Sequence, residues 1–213
     1  MKSIMLVALG LMLFTSCTIR QEYVFNDDFS GNHVFELDMS GGQEEGPGAG
    51  MAQRMIEKFK EDSMEMDSLV QAMNAMDGIS NALVAAENEA ITMSYDFEKM
   101  ELIGTPIDQK NLDKMMGAGM HAKVNDDAGI KFEWKGKKLH YTSGNSGESE
   151  EMPPMMEGMD EKIRFETIMT FPKKVKKVNN QDYAISEDRK TIKLSLSMKE
   201  LADGKTDEVI IEF

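Results

Sequence analysis

Apolar and polar residues trade places with a period of two through "EYVFNDDFSGNHVFELDMS" (Glu22 to Ser40), where Tyr23 and Phe25 precede a polar turn and Val34, Phe35, Leu37 and Met39 follow it. That rhythm predicts a strand, a turn over Asn26 to Gly31, and a second strand. Gly41 to Gly50 ("GGQEEGPGAG") then reads as a loop. From Met51 to Met76 the period changes: Met55, Phe59, Met66, Leu69, Met73 and Met76 recur at three- and four-residue steps, with Asp62 as an interruption, and Asp77-Gly78 follows as a stop. One long helix of about 39 Å is predicted there.

Alternation returns in "ISNALVAAE" and "AITMSYDF", a pair predicted to turn at Asn88 and Glu89. "IDQKNLDKMMGAG" reads as a short helix closed by glycine, and Lys131 to Trp134 with Lys138 to Thr142 as a hairpin around Gly136. Residues 143–158 are polar, proline-containing and dotted with methionine, hence a second flexible loop. "KIRFETIMTF", "TIKLSLSM" and "VIIEF" are strands, separated by turns in "ISEDRKT" and "LADGKTDE". The expectation is an α+β fold: a twisted antiparallel sheet of about six to eight strands with one long and one short helix packed against it. No repeat of fixed period is present.

The first 16 residues stand outside this pattern. Lys2 supplies a positive start, Ile4 to Phe14 an uncharged run, and Thr15-Ser16 small residues before Cys17. The run suits a signal peptide and is short for a membrane span. The stretch resembles a bacterial lipoprotein signal, and its ending in "SC" resembles the relaxed lipoboxes of Bacteroidota. That resemblance implies cleavage before Cys17, diacylation of its thiol and acylation, with palmitate among the chains, of the new amino group. Residues 1–16 are then the signal peptide and 17–213 a single lipid-anchored domain. Four residues, Thr18 to Gln21, separate the lipid from the first predicted strand, a reach of about 14 Å.

The chain carries 24 basic and 38 acidic side chains, a formal charge of -14. Such a field repels phosphate backbones, so nucleic acid is not expected as a partner. Cys17 is the single cysteine, which excludes an intramolecular disulfide and a Cys-rich zinc site.

Twenty-one methionines raise the question of soft metals. Met152, Met155, Met156 and Met159, with Met120-His121 nearby in kind, have the thioether chemistry of a Cu(I) or Ag(I) site. Against this, methionine replaces leucine throughout the chain, where it fills cores or lines partner contacts. "NDDFSGN" imitates the start of a calcium loop, but Leu37 stands where the twelfth-position glutamate is needed, so a β-turn is expected. "PKKVKKV" (Pro172 to Val178) sets four lysines on an acidic protein, suited either to lipid head groups or to guarding a strand edge. His33, His121 and His140 fit no metal motif, and neither a nucleophile elbow nor a phosphate loop occurs. Glu44-Glu45 and Glu148 to Glu151 fall in loops as solvated charge. No enzyme chemistry and no cofactor are expected.

Two stretches carry a family resemblance: "EYVFNDDFSGNHVFELDMS" directly after the cysteine, and "FETIMTFPKKVKKVNNQDYAISEDRKTIKLSLSMKEL" (Phe165 to Leu201) near the end. Together they resemble a family of Bacteroidota lipoproteins, and more distantly the LppM-type lipoproteins of mycobacteria. The resemblance implies an envelope location and an α+β module associated with lipid or membrane; it brings no catalytic residue. The expected role is a non-enzymatic lipid-anchored protein that binds lipid or an envelope partner, with soft-metal binding as the alternative. Thr18, in place of aspartate after the cysteine, is permissive for the outer membrane, facing the periplasm.

Overall fold

The computed structural model describes residues 17–40, 51–61, 63–104, 130–143 and 162–213. Its strands are β1 (Cys17–Phe25), β2 (Gly31–Asp38), β3 (Ile79–Glu87), β4 (Ala90–Phe97), β5 (Lys131–Lys135), β6 (Lys138–Thr142), β7 (Ile163–Thr170), β8 (Lys177–Val178), β9 (Ala184–Ile185), β10 (Thr191–Ser197) and β11 (Val209–Glu212). The helices are α1 (Met51–Glu61), α2 (Ser63–Asn74) and the short α3 (Met198–Ala202), with a 3-10 turn at Met100–Leu102. The fold is α+β, as the alternation implies. The short helix expected over 107–119, the loop at 41–50 and all but Ser143 of the loop expected over 143–158 lie outside the described residues; Ser143 itself is buried.

Two sheets form where one was expected. The larger runs in the order β3-β4-β2-β1-β7-β10-β9 and the smaller in the order β5-β6-β11-β8. The larger sheet is mixed: β1 is antiparallel to β2 but parallel to β7, with Cys17 opposite Ile163 and Val24 opposite Thr170. Period-two alternation specifies which side chains point inward and is blind to strand direction.

The inward register of the large sheet is apolar except for His33 of β2 and Thr167 of β7. Tyr23 and Phe25 of β1, Phe35 and Leu37 of β2, Ile91, Met93, Tyr95 and Phe97 of β4, and Ile192, Leu194 and Leu196 of β10 are buried. The small sheet covers this face with Phe132, Leu139, Tyr141, Val209 and Ile211; Phe132 meets Tyr23 at 5.1 Å and Phe25 at 5.3 Å, both edge-on. Helices α1 and α2 pack against β3, burying Ile56, Phe59, Met66, Leu69 and Met73 in the same core. Spacing at 66, 69 and 73 places those side chains on one helical face. The end of α2 is tied to the sheet by Asn74, whose amide oxygen accepts from Ala82 N–H at 3.0 Å. There β3 carries a register shift between Ser80 and Leu83, with Asn81 at φ 52°.

The outward register is polar for the most part, with Val24, Val34 and Ile168 as apolar members. Arg20 bridges Glu36 at 2.9 Å and Glu166 at 3.1 Å, and Lys193 reaches Glu166 at 2.8 Å, a charge ladder across β2, β1, β7 and β10. Burial alone would raise the Glu166 pKa, but Lys193 and Arg20 hold it below the usual carboxylate range.

Gly31 starts β2 opposite Phe25 on one side and Phe97 on the other. A Cβ there would stand 1.9 Å from the Val24 carbonyl oxygen and 2.9 Å from Phe97 Cζ. Backbone cannot give way as a side chain tip can. Gly31→Ala is expected to cost about 3 kcal/mol or more, read as a lowered denaturant midpoint at unchanged slope; a midpoint equal to the wild type would show that β1 and β2 are not held at this separation.

Candidate anchor and contact sites

Cys17 is the first residue of β1 and pairs with Ile163 of β7. The expected spacer therefore does not exist: Thr18 to Gln21 are strand, opposite Asp38, Leu37, Glu36 and Phe35 in turn. Their local pattern hides this, because Thr18 and Arg20 face outward while only Ile19 of the inward pair is apolar. Long-range pairing and the Arg20 ladder make the strand. The Cys17 side chain lies on the inner side at the rim of the core, half-buried. Burial, with a contribution from Asp38, pushes its thiol up to about 11. In the folded protein it is a poor nucleophile and a poor metal ligand at neutral pH.

Met152, Met155, Met156 and Met159, with Met120-His121, lie outside the described residues. The methionines that are described serve the core: Met39, Met66, Met73, Met93, Met100 and Met169 are buried. Among the described residues no group of three or more His, Cys, Asp or Glu side chains is placed to hold a metal ion. The "NDDFSGN" segment is a tight turn, with Asn26 N–H donating to the Ser30 carbonyl at 2.8 Å and Phe29 at φ 63°. Asp28 accepts from both Ser30 N–H at 3.0 Å and Ser30 Oγ at 2.7 Å, which holds its carboxyl low.

In "PKKVKKV", Val175 is wholly buried and exchanges hydrogen bonds with Arg189: its N–H donates to the Arg189 carbonyl at 2.7 Å and its carbonyl accepts from Nε at 2.8 Å. The lysines on either side stay in water. Lys173 sits 5.9 Å over the Phe29 ring, Lys176 donates to the Phe213 main-chain oxygen at 2.7 Å, and Lys177 lies on β8, an edge of the small sheet. Edge guarding thus describes Lys177 well.

A buried polar centre between the two sheets escaped the sequence reading. His33 is fully buried, stacked on Tyr23 at 4.6 Å, with Nδ1 3.0 Å from Tyr95 Oη. Tyr95 Oη also accepts from Gly104 N–H at 3.1 Å, and Tyr23 donates to the Gln21 amide oxygen. Beside it, Asp207 accepts from Ser143 Oγ at 2.5 Å and Tyr141 Oη at 3.3 Å, while Tyr183 donates to the Asp207 carbonyl at 2.5 Å. Burial drives every titratable member toward its neutral form: the tyrosines and Asp207 are raised, and His33 is pushed down to about 3. Among the described residues, His33 Nε2 has no hydrogen-bond partner. His33, Tyr23 and Tyr141 are closed off from solvent, Asp207 is half-buried at the margin, and together they join the two sheets. Its signal was available in register: His33 occupies the same inward positions as Phe35 and Leu37.

A histidine depressed from about 6.5 unfolded binds fewer protons folded than unfolded between those values. Its contribution to stability is full above about pH 6.5 and is lost as pH falls toward the folded value of about 3. Stability should therefore drop on acidification by up to about 1.4 kcal/mol per pH unit from His33 alone. Asp207, being raised, acts with the opposite sign but is common to wild type and His33→Phe. Chemical denaturation from pH 7 to 4 should show a flatter profile for His33→Phe; parallel profiles would mean that His33 is not held neutral.

No family model matches the chain, and no curated protein matches it. Among solved structures it is similar to the folded domain of the LppM protein of Mycobacterium tuberculosis, determined by NMR, with a TM-score of 0.41 and 10% sequence identity over 92% of this chain and 88% of that one. A likeness of that degree carries no argument about activity.

Proposed function

We propose that this chain is a bacterial lipoprotein, anchored through acylated Cys17, that acts by binding lipid or another envelope component rather than by catalysis. The observation that carries the reading is that Cys17 itself is held in β1, in register with Ile163 of β7, so that acyl chains on it join the folded body with no spacer. Cleavage before Cys17 leaves the pairings described for β1 with β2 and β7 intact. The acyl chains then leave from the rim where β1 begins, beside Ile163 and Met39, both buried.

Other features fit. Lys2, the uncharged run Ile4 to Phe14 and the small residues before Cys17 are what a lipoprotein signal requires. Among the described residues no helix is long and apolar enough to cross a membrane. The most perturbed titratable groups, His33 and its tyrosine neighbours, are locked in the core rather than presented in a cleft. Thr18 after the cysteine favours the outer membrane, on the periplasmic side.

Metabolic labelling with an alkyne-bearing palmitate tests the anchor. The wild-type chain is expected to take up label and to fractionate with membranes, and Cys17→Ala to lose both. Undiminished labelling of Cys17→Ala would refute the proposal.

A further inference from the structure

The end of the molecule opposite Cys17 differs from the rest in both charge and chemistry. Phe25 closes β1 there, about 26 Å from Cys17 for eight steps of strand. Around it the turn residue Phe29, Trp134 of β5 and Phe213 form an aromatic rim: Phe29 meets Trp134 edge-on at 5.0 Å, and Phe213 lies 5.8 Å from Trp134 and 5.0 Å from Phe171. Trp134 is 41% exposed, against 6% for Phe132 on the same strand face.

Strand pairing surrounds this rim with ammonium groups that are scattered in sequence. One row across the small sheet reads Lys135, Lys138, Glu212, Lys177. Lys137 lies in the β5–β6 turn, and Lys173, Lys174 and Lys176 lie in the strap before β8; all are exposed. Carboxylates also stand at this end, among them exposed Glu98 and Glu187, but several of those nearest the lysines are engaged. Glu133 pairs with Lys135 at 2.9 Å, Glu212 with Lys138 at 3.7 Å, Asp188 lies near Lys174, and Asp28 is turned onto Ser30. Asp27 is the further acidic group of the adjoining turn. A chain of net charge -14 thus carries a basic, aromatic-rimmed end.

We infer that this end is a second membrane contact, docking on the anionic head groups of the same bilayer that holds the Cys17 acyl chains and laying β1 along the membrane plane. The inference rests on the anchor proposed above. Three observations choose a lipid surface as the occupant. Lysines complement anionic head groups while the rest of the molecule is repelled by them, so the field itself selects this face. An exposed indole among phenyl rings and lysine stems suits the boundary between head groups and acyl chains. Because Cys17 itself lies in β1, no tether separates the proposed anchor from the body, and the basic end is held within one strand length of the bilayer at high effective concentration.

Trp134 is the single tryptophan of the chain and reports on the contact directly. The full acylated protein is reconstituted into vesicles of phosphatidylcholine alone or with about one-third phosphatidylglycerol. In the anionic vesicles, Trp134 emission is expected to move to the blue and its quenching by acrylamide to fall about twofold, both reversing at high salt. The combined substitution Lys135→Gln, Lys138→Gln, Lys174→Gln and Lys177→Gln, checked by circular dichroism and thermal melting, should abolish the difference between the two lipids. Protein retained on both vesicle types with equal quenching would overturn the docking and leave the anchor standing. Clustering of anionic vesicles would overturn it as well, since the basic end would then reach a second bilayer or another polyanion. Failure to stay on phosphatidylcholine vesicles would remove the anchor and the docking together.

Discussion

The pairing of β1 on both edges is the constraint on which the rest of the molecule depends. Its antiparallel edge joins β2 through a short local turn, whereas its parallel edge joins β7, which begins at Ile163 near the other end of the chain. A parallel neighbour demands a crossover, and the two helices, β3 to β6 and their connections are all threaded through it. The core cannot close until both edges are made, because Tyr23 and Phe25 rest against side chains from β2, β5 and the end of β7. Closing a loop of that length costs only slowly growing entropy, so the penalty falls on folding rate more than on stability.

Local chemistry was readable where it acts alone. The β3–β4 hairpin turns at Asn88 and Glu89, both with positive φ, the conformation a two-residue hairpin requires, and β5–β6 turns at Gly136 with φ 68°. The α+β class followed from two periods in one chain. What alternation could not show were features decided by distant partners: the parallel edge of β1, the strand pairing of Cys17 to Gln21, the separation into two sheets, and the two-residue strands β8 and β9. Helix α3 is a different case. "SMKE" is a capping box, in which Ser197 Oγ accepts from Glu200 N–H and the Glu200 carboxylate accepts from Ser197 N–H at 2.8 Å, yet it sits at the end of a strongly alternating strand and was read as strand and turn.

The candidate sites divide along the same line. Cys17 was marked by what precedes it in sequence, since a charged start, an apolar run and small residues are contiguous signals. The lysine end was half visible: "PKKVKKV" is contiguous, but Lys135 and Lys138 join it only because β5, β6, β11 and β8 pair in that order. His33 illustrates the opposite limit. A histidine at an inward position of an apolar strand has a clear address, but only the packing of Tyr23 and Tyr95 around it determines that it is neutral.

Charge is therefore handled in three ways in one small fold. Between the sheets it is extinguished, with His33 neutral and the tyrosines protonated. On the outer face of the large sheet it is paired, Arg20 and Lys193 meeting Glu36 and Glu166 in a ladder that stays partly solvated and so adds only modest stability. At the Phe25 end it is left unbalanced, with lysines in excess around exposed Trp134 and the half-buried rings of Phe29 and Phe213. The first two arrangements stabilise or specify the fold, but an unbalanced basic cluster next to exposed tryptophan does neither. It contributes self-repulsion locally and offsets little of the acidic field, since lysines on edges and turns could be exchanged for neutral polar groups without loss of packing. Such a feature persists most economically where it meets something of opposite sign, and the anchor proposed for Cys17, on the same strand, would place an anionic surface within reach.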